Sequence, residues 1–417
     1  MSFTEIPILD LALARDPATK PGFLADLRHA LMEVGFLYLK NVGISDELFA
    51  RVIKEGRAFF DIPAEENLGD FQCTEDRDEE RPLVPGLLAA LGEITAGQTD
   101  HREQIDLSTE HPVPGPDAPR HHNLLAPNQW PSASVLPDFR PVFAEYMARM
   151  GSVSVQFTSL IAEAVGLPPD AFDKYFDGPG AVDQQHKLKI VKYPDVAELG
   201  LKEGQGVGPH KDSMLTSYLL QASAHRGLQV QNMRGQWIDC PPLDGTLVVA
   251  IGQGLEALTQ GVCCSTTHRV LSPAAGEGRY SIPFFQGVRS DATFADLEGV
   301  GMGTVPQDVR DQRRKVFEAN SGCGGIRLDD VEFTFRGGGV AKTLGEATLR
   351  NRVKSHPDVG ERWYPDILRD IREQQAREAR ENKDEDAGVV GKGADGAASR
   401  AQSNATNNAT TTAVEAH

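Results

Sequence analysis

Pro209-His210-Lys211-Asp212-Ser213-Met214-Leu215-Thr216-Ser217-Tyr218-Leu219-Leu220-Gln221 is the stretch on which the reading of this chain turns. As a strand, it places residues two apart on one face, so His210 and Asp212 share a side while Lys211 points away. Leu215 to Leu220 then continue as the buried strand that anchors the pair. A second imidazole is available in Thr266-Thr267-His268-Arg269-Val270, expected on another strand beginning near Val262. Two imidazoles and one carboxylate form the 2-His-1-carboxylate set that leaves three positions of a non-haem Fe(II) open for O2 and a substrate.

A His-x-Asp pair alone arises by chance in many surface loops, so a second signal matters. Shortly after His268 the chain reads Arg279-Tyr280-Ser281-Ile282-Pro283-Phe284-Phe285. Arg279 and Ser281 are again spaced to share a strand face. A guanidinium beside a hydroxyl suits the far carboxylate of a dicarboxylate, which takes paired hydrogen bonds from the arginine and one from the serine. The near end of the same molecule could chelate iron.

With these motifs in place, the chain resembles the 2-oxoglutarate/Fe(II)-dependent dioxygenases of the isopenicillin N synthase-like family. The likeness extends to Gly227-Leu-Gln-Val230, Trp237-Ile-Asp-Cys-Pro-Pro242, Gly245-Thr-Leu-Val-Val-Ala-Ile-Gly252 and Leu255-Glu-Ala-Leu-Thr-Gln-Gly261. In the N-terminal half it rests on Ile6-Pro-Ile-Leu-Asp10, Gly35-Phe-Leu-Tyr-Leu-Lys-Asn-Val-Gly-Ile44 and Phe59-Phe-Asp-Ile-Pro63. Together the matches cover about residues 5 to 375. The resemblance implies an α+β fold: a double-stranded β-helix (jelly-roll) core with a helical N-terminal domain and flanking helices. It also implies a division into an N-terminal dioxygenase domain at 1–125, the jelly-roll core with its flanking helices at 126–381, and a tail at 382–417.

Two departures stand out. The Asp usual after Ile-Gly is Gln253, and of the family's Asn-Tyr-Tyr-Pro run only Tyr193 keeps the aromatic that reaches the oxoglutarate carboxylate. The family implies His210, Asp212 and His268 as metal ligands, and Arg279, Ser281 and Tyr193 as contacts of 2-oxoglutarate. Its cofactors are Fe(II), 2-oxoglutarate and O2. The expected reaction is hydroxylation, desaturation or cyclisation of a small organic metabolite, with succinate and CO2 as coproducts, and a setting in secondary metabolism follows by analogy. No protein acid or base beyond the metal ligands is required. Two alternatives remain open at the level of sequence: an Fe(II) oxidase of the same fold that uses no 2-oxoglutarate, and a non-catalytic interaction protein that keeps the fold.

Composition narrows the partners. The formal net charge is −18 over 417 residues, and the tail from Asn382 contributes only three basic and five acidic residues, so the acidity belongs to the body. Such a surface repels phosphate backbones and anionic lipid, which argues against nucleic-acid or membrane binding. Five cysteines, an odd number that includes the adjacent pair Cys263 and Cys264, do not form a disulfide framework. The start Met-Ser-Phe-Thr-Glu-Ile-Pro lacks the basic and apolar segments of a signal peptide. A cytoplasmic monomer acting on a small molecule is expected.

Along the chain, Ile6 to Leu9 and Phe36 to Leu39 are expected strands. A helix is expected from Pro21 to Val34, with Leu24, Leu27, Leu31 and Val34 on one face. Asp46 to Phe60 is a second, with Ser45 as N-cap, and a long helix spans Val142 to Val165. Lys187 to Phe285 carries short β-branched runs broken by Gly, Pro and Asp, the pattern of an antiparallel sandwich or jelly roll. Asp308 to Ala319 and the segment from Asp366 are read as helices, and Gly337-Gly-Gly339 as a connector. The run Gly204-Gln-Gly-Val-Gly208 is read as a loop near the site rather than a phosphate cradle. His121, His122, His186 and His225 lack partner spacing and are taken as ordinary residues, and Phe284 and Phe285 as core. The composition from Asn382 to His417 cannot bury enough apolar surface to offset its conformational entropy, so a disordered tail is expected.

Overall fold

In the computed structural model the described residues are 2–62, 94–95, 98–115, 117–125, 127–176, 185–201, 204–213, 215–259, 261–273, 276, 278–293, 305–320, 341–355 and 357–377. The expected connector at 337–339 and the tail at 382–417 lie outside them. Two compact units result, Met1–Leu349 and Arg350–His417. In the second, helices occupy Pro357–Trp363 and residues 365–377, the latter in line with the helix expected from Asp366, and Leu368 and Ile371 are buried.

The first unit holds the site. The strands of its two larger sheets are β1 (Ile8–Asp10), β2 (Phe36–Lys40), β3 (Glu103–Ser108), β4 (Lys187–Tyr193), β5 (Gln205–His210), β6 (Thr216–Gln221), β7 (Leu228–Gln231), β8 (Trp237–Asp239), β9 (Thr246–Ile251), β10 (His268–Leu271) and β11 (Arg279–Phe285). A seven-stranded sheet runs β1-β2-β9-β6-β11-β4-β3, and a four-stranded sheet runs β8-β7-β10-β5. All these pairings are antiparallel except β1 with β2. β1 and β2 belong to the N-terminal segment and extend the large sheet through β9, so that sheet draws strands from both sides of residue 125.

Helices α1 (Lys20–His29), α2 (Asp46–Phe59) and α3 (Phe139–Ala164) cover the large sheet. α1 passes into a π-turn at Ala30–Val34 that ends on Gly35 in the left-handed region. Ser45 caps α2 as expected, its Oγ accepting from the Leu48 N–H at 3.2 Å. α2 lies so close that a Cβ on Gly56 would meet Ile282 and Ile190 at 3.1 and 3.2 Å. One apolar cluster fills the helix side of the large sheet, with Phe139, Phe143, Phe157, Tyr218 and Phe284 among its members. A second joins Phe36, Tyr38, Val191, Tyr193 and Val248 of the large sheet to Val207, Val230 and Val270 of the small one, and so fills the space between the sheets.

Three expectations are corrected. Pro209 to Gln221 is not one strand: β5 ends at His210 and β6 starts at Thr216. The strand carrying His268 begins at that residue rather than near Val262: after a short helix, α4 (Gln253–Leu258), residues 261–267 are turn and irregular chain. The Gly204–Gly208 run is strand rather than loop, since β5 begins at Gln205. Its glycines serve packing: a Cβ on Gly206 would meet the Tyr193 ring at 2.6 Å, so only glycine lets the small sheet approach β4 there.

Candidate metal and cosubstrate site

His210 is the last residue of β5 and His268 the first of β10, and the two are register partners across the antiparallel pair. Their ring centroids lie 4.2 Å apart. Asp212 follows in the loop after β5, and that loop is fixed from its far side. The Gln253 and Gly254 N–H groups at the start of α4 donate to the carbonyls of Asp212 and Ser213, at 2.8 and 3.2 Å. The carboxylate turns back between the imidazoles, with Asp212 Oδ1 at 3.8 Å from both His210 Nε2 and His268 Nε2. Since β5 ends at His210, a turn and not strand alternation aims the Asp212 carboxylate.

The imidazoles are held in the form that metal binding needs. His210 Nδ1 lies 2.8 Å from the Gly208 carbonyl and His268 Nδ1 3.2 Å from the Thr266 carbonyl. A carbonyl only accepts, so each Nδ1 carries the proton and each Nε2 keeps its lone pair. Desolvation, reinforced by the neighbouring His268, holds His210 below its ordinary pKa and therefore neutral. Phe36 packs edge-on against the His268 ring at 5.0 Å. Gly35 precedes it at φ 72°, and a Cβ there would collide with the Cys264 carbonyl and the Thr266 hydroxyl. The N-terminal segment therefore reaches the back of the site only because this residue is glycine.

The three side chains offer ligand atoms that all lie within 4.8 Å of one another. Two neutral nitrogens and one carboxylate oxygen are a donor set suited to Fe(II).

Arg279 opens β11, opposite Tyr193 of β4. It is 1% exposed, and its guanidinium stands 5.0 Å from the Tyr193 ring centroid. Nη2 makes a long 3.4 Å contact to Gln221 Oε1, and Nη1 has no protein partner. Burial lowers its pKa, yet a guanidinium stays cationic. An unpartnered buried nitrogen on a cation is the acceptor-seeking feature that an anionic cosubstrate would satisfy. Ser281 is buried two residues on, on the same side of β11 and paired with Gln221. Gln221 escaped the sequence reading, because its contact with Arg279 depends on the register between β6 and β11.

Two of the residues set aside lie in the core. His186 is a buried core histidine whose Nδ1 accepts from the Gly287 N–H at 3.0 Å, and Phe284 is core. Cys240, Cys263 and Cys264 are buried free thiols.

Comparison with known proteins agrees with this geometry. Residues 6–133 match the family described as non-haem dioxygenase in morphine synthesis N-terminal, and residues 185–288 match the 2OG-Fe(II) oxygenase superfamily. A 2-oxoglutarate-dependent dioxygenase, frbJ, of Dothideomycetidae sp. (strain 11243) is 61% identical over 382 residues, 91% of this chain and 97% of that one. A 2-oxoglutarate-dependent dioxygenase of Gibberella zeae is 35% identical, over 91% of this chain and 96% of its own. Among solved structures, a 2OG-Fe(II) oxygenase family protein from Caulobacter crescentus superimposes with a TM-score of 0.55 at 25% identity, covering 75% of this chain and 99% of that one.

The chain belongs to the 2-oxoglutarate/Fe(II)-dependent dioxygenases. It is a non-haem iron oxidoreductase that uses Fe(II), 2-oxoglutarate and O2, and the readings without 2-oxoglutarate or without catalysis are set aside. No helix among the described residues is long and apolar enough to cross a membrane.

Proposed function

We propose that His210, Asp212 and His268 hold the Fe(II), and that Arg279, Ser281 and Tyr193 bind the distal carboxylate of 2-oxoglutarate, for oxidation of a small organic metabolite by hydroxylation, desaturation or cyclisation. The observation that carries this reading is the convergence of both Nε2 atoms on Asp212 Oδ1 at 3.8 Å, with the Nδ1 protons already committed to carbonyls. Bound Fe(II) supplies the activation of O2 that couples decarboxylation of 2-oxoglutarate, to succinate and CO2, with attack on a C–H bond.

The protein's own part is positional. Arg279 fixes the cosubstrate by charge and shape, Ser281 adds a neutral donor, and Tyr193 flanks the guanidinium. The apolar side chains between the sheets, Val191, Val207 and Val270 among them, keep this end dry and so strengthen the ion pair. Asp212 brings one negative charge to an otherwise neutral ligand set, which favours a divalent cation. Alternation along β11 puts Arg279 and Ser281 on one face, so both reach the same carboxylate.

We further read the chain as a cytoplasmic monomer that engages neither nucleic acid nor membrane. The net charge of −18 and the buried free thiols support this. The division at residues 1–125, 126–381 and 382–417 is likewise retained as a proposal. The deciding experiment for function measures succinate formed per O2 consumed with candidate metabolites. Succinate formation that stops when Fe(II) or 2-oxoglutarate is withheld is expected; none in the presence of both would refute the reading. An untargeted comparison of metabolites in cells with and without the gene supplies the candidates.

A further inference from the structure

Behind the triad lies a second pocket, walled by a buried cation that forms no ion pair among the described residues. Arg313, on the helix α5 (Gln307–Asn320), is 9% exposed. Its Nε donates to the Gly261 carbonyl at 2.9 Å, its Nη1 has no hydrogen-bond partner, and it forms no ion pair among the described residues. With Lys211, Glu33, Glu256, Ser265 and Thr267 it lines a cavity of about 60 Å³. Ser265, 5% exposed, also has an Oγ with no partner.

Each acid of this pocket has one carboxylate oxygen on a partner other than Arg313. Glu256 Oε1 accepts from the Ser265 N–H at 3.1 Å, and Glu33 Oε1 lies 3.0 Å from His29 Nδ1. Arg313 is thus left with a fork and no acceptor for part of it.

Withdrawing a guanidinium from water without a partner is costly, and a buried charge persists where something opposite completes it. A water molecule needs only about 10–15 Å³ of such space, so this cavity has room for several waters or for one small anion. We propose that it binds a small oxyanion, a carboxylate or a phosphate, on Arg313 and the Ser265 hydroxyl, with the charge of Lys211 assisting. Lys211 separates His210 from Asp212, and Ser265 to Thr267 lead directly into His268. A bound anion therefore ties α5 to both backbone segments that present the triad, and its occupancy braces them. This inference does not depend on the roles assigned to Arg279 and Ser281.

The test follows thermal unfolding of the full-length protein in chloride buffer at constant ionic strength, titrated with inorganic phosphate in one arm and acetate in the other. A saturable rise in Tm is expected in at least one arm, and the responding arm identifies the ligand as phosphate or carboxylate. The rise should vanish in Arg313→Met, weaken by roughly two- to tenfold in apparent affinity in Ser265→Ala, and persist in Arg279→Lys. No saturable shift in either arm would mean that water alone fills the cavity and would overturn the proposal. A shift that survives Arg313→Met, or one that Arg279→Lys removes, would overturn it equally. Should Arg313→Met fail to fold, Ser265→Ala decides: unchanged anion affinity in that variant refutes the site.

Discussion

Replacing Arg279 by lysine keeps the charge of the proposed cosubstrate pocket and removes its shape. In the structure both terminal nitrogens of Arg279 are open to a carboxylate. Nη1 has no partner, and Nη2 has only the 3.4 Å contact to Gln221, at the weak end of hydrogen-bond geometry. A carboxylate can therefore dock on two prongs, whereas a lysine ammonium offers a point charge without the planar fork. The lost prong is a charge-assisted hydrogen bond, worth about 1.5–3 kcal/mol. Affinity for 2-oxoglutarate should accordingly fall roughly tenfold to more than a hundredfold. The assay is an anaerobic titration of 2-oxoglutarate into Fe(II)-loaded protein, read by calorimetry. Iron affinity measured without 2-oxoglutarate should match the wild type, because Arg279 is not among the three residues whose donor atoms converge. If Arg279→Lys binds 2-oxoglutarate as the wild type does, the arginine is a structural group and the cosubstrate lies elsewhere.

Ser281→Ala removes one neutral donor from the same pocket and should cost about 0.5–1.5 kcal/mol in that titration; an effect as large as that of Arg279→Lys would contradict the assignment. Gln221→Glu places a carboxylate at the position that now contacts Arg279 Nη2, so it should compete for the guanidinium and raise the 2-oxoglutarate Kd about tenfold or more, whereas an unchanged Kd would show that Gln221 does not face the cosubstrate. Asp212→Ala removes the one anionic ligand of the triad and should abolish iron binding and succinate formation while the circular dichroism spectrum stays native; wild-type iron affinity would sink the triad, and His210→Ala and His268→Ala carry the same expectation. His186 has its pKa pushed down by burial to about 4, below the ordinary histidine value of about 6.5, so the unfolded chain binds the extra proton between those values and stability falls as pH drops through that window. The loss from this one group is about 3 kcal/mol; urea unfolding across that range should show a shallower pH dependence in His186→Gln than in the wild type, and identical slopes would refute the cause.

Much of the candidate site was legible because it is written in local patterns. His210 and Asp212, then Arg279 and Ser281, are pairs whose spacing and chemistry restrict their use wherever the chain folds. Ser45 announces the start of α2, and the spacing of Leu27, Leu31 and Val34 announces the helical segment of residues 20–34, since caps and helical faces depend on neighbours within a few positions. What the sequence left undetermined is long-range. Whether Pro209–Gln221 stays extended or breaks at Lys211 depends on α4, whose Gln253 and Gly254 N–H groups hold the turn that aims Asp212. The pairing of His268 with His210, the entry of β1 and β2 into the large sheet, the contact of Gln221 with Arg279 and the placing of Arg313 behind the triad are matters of register and packing. Alternation along one strand says which face a side chain takes; only the tertiary structure, by burying one face and pairing the backbone groups, decides which residue of another strand it meets.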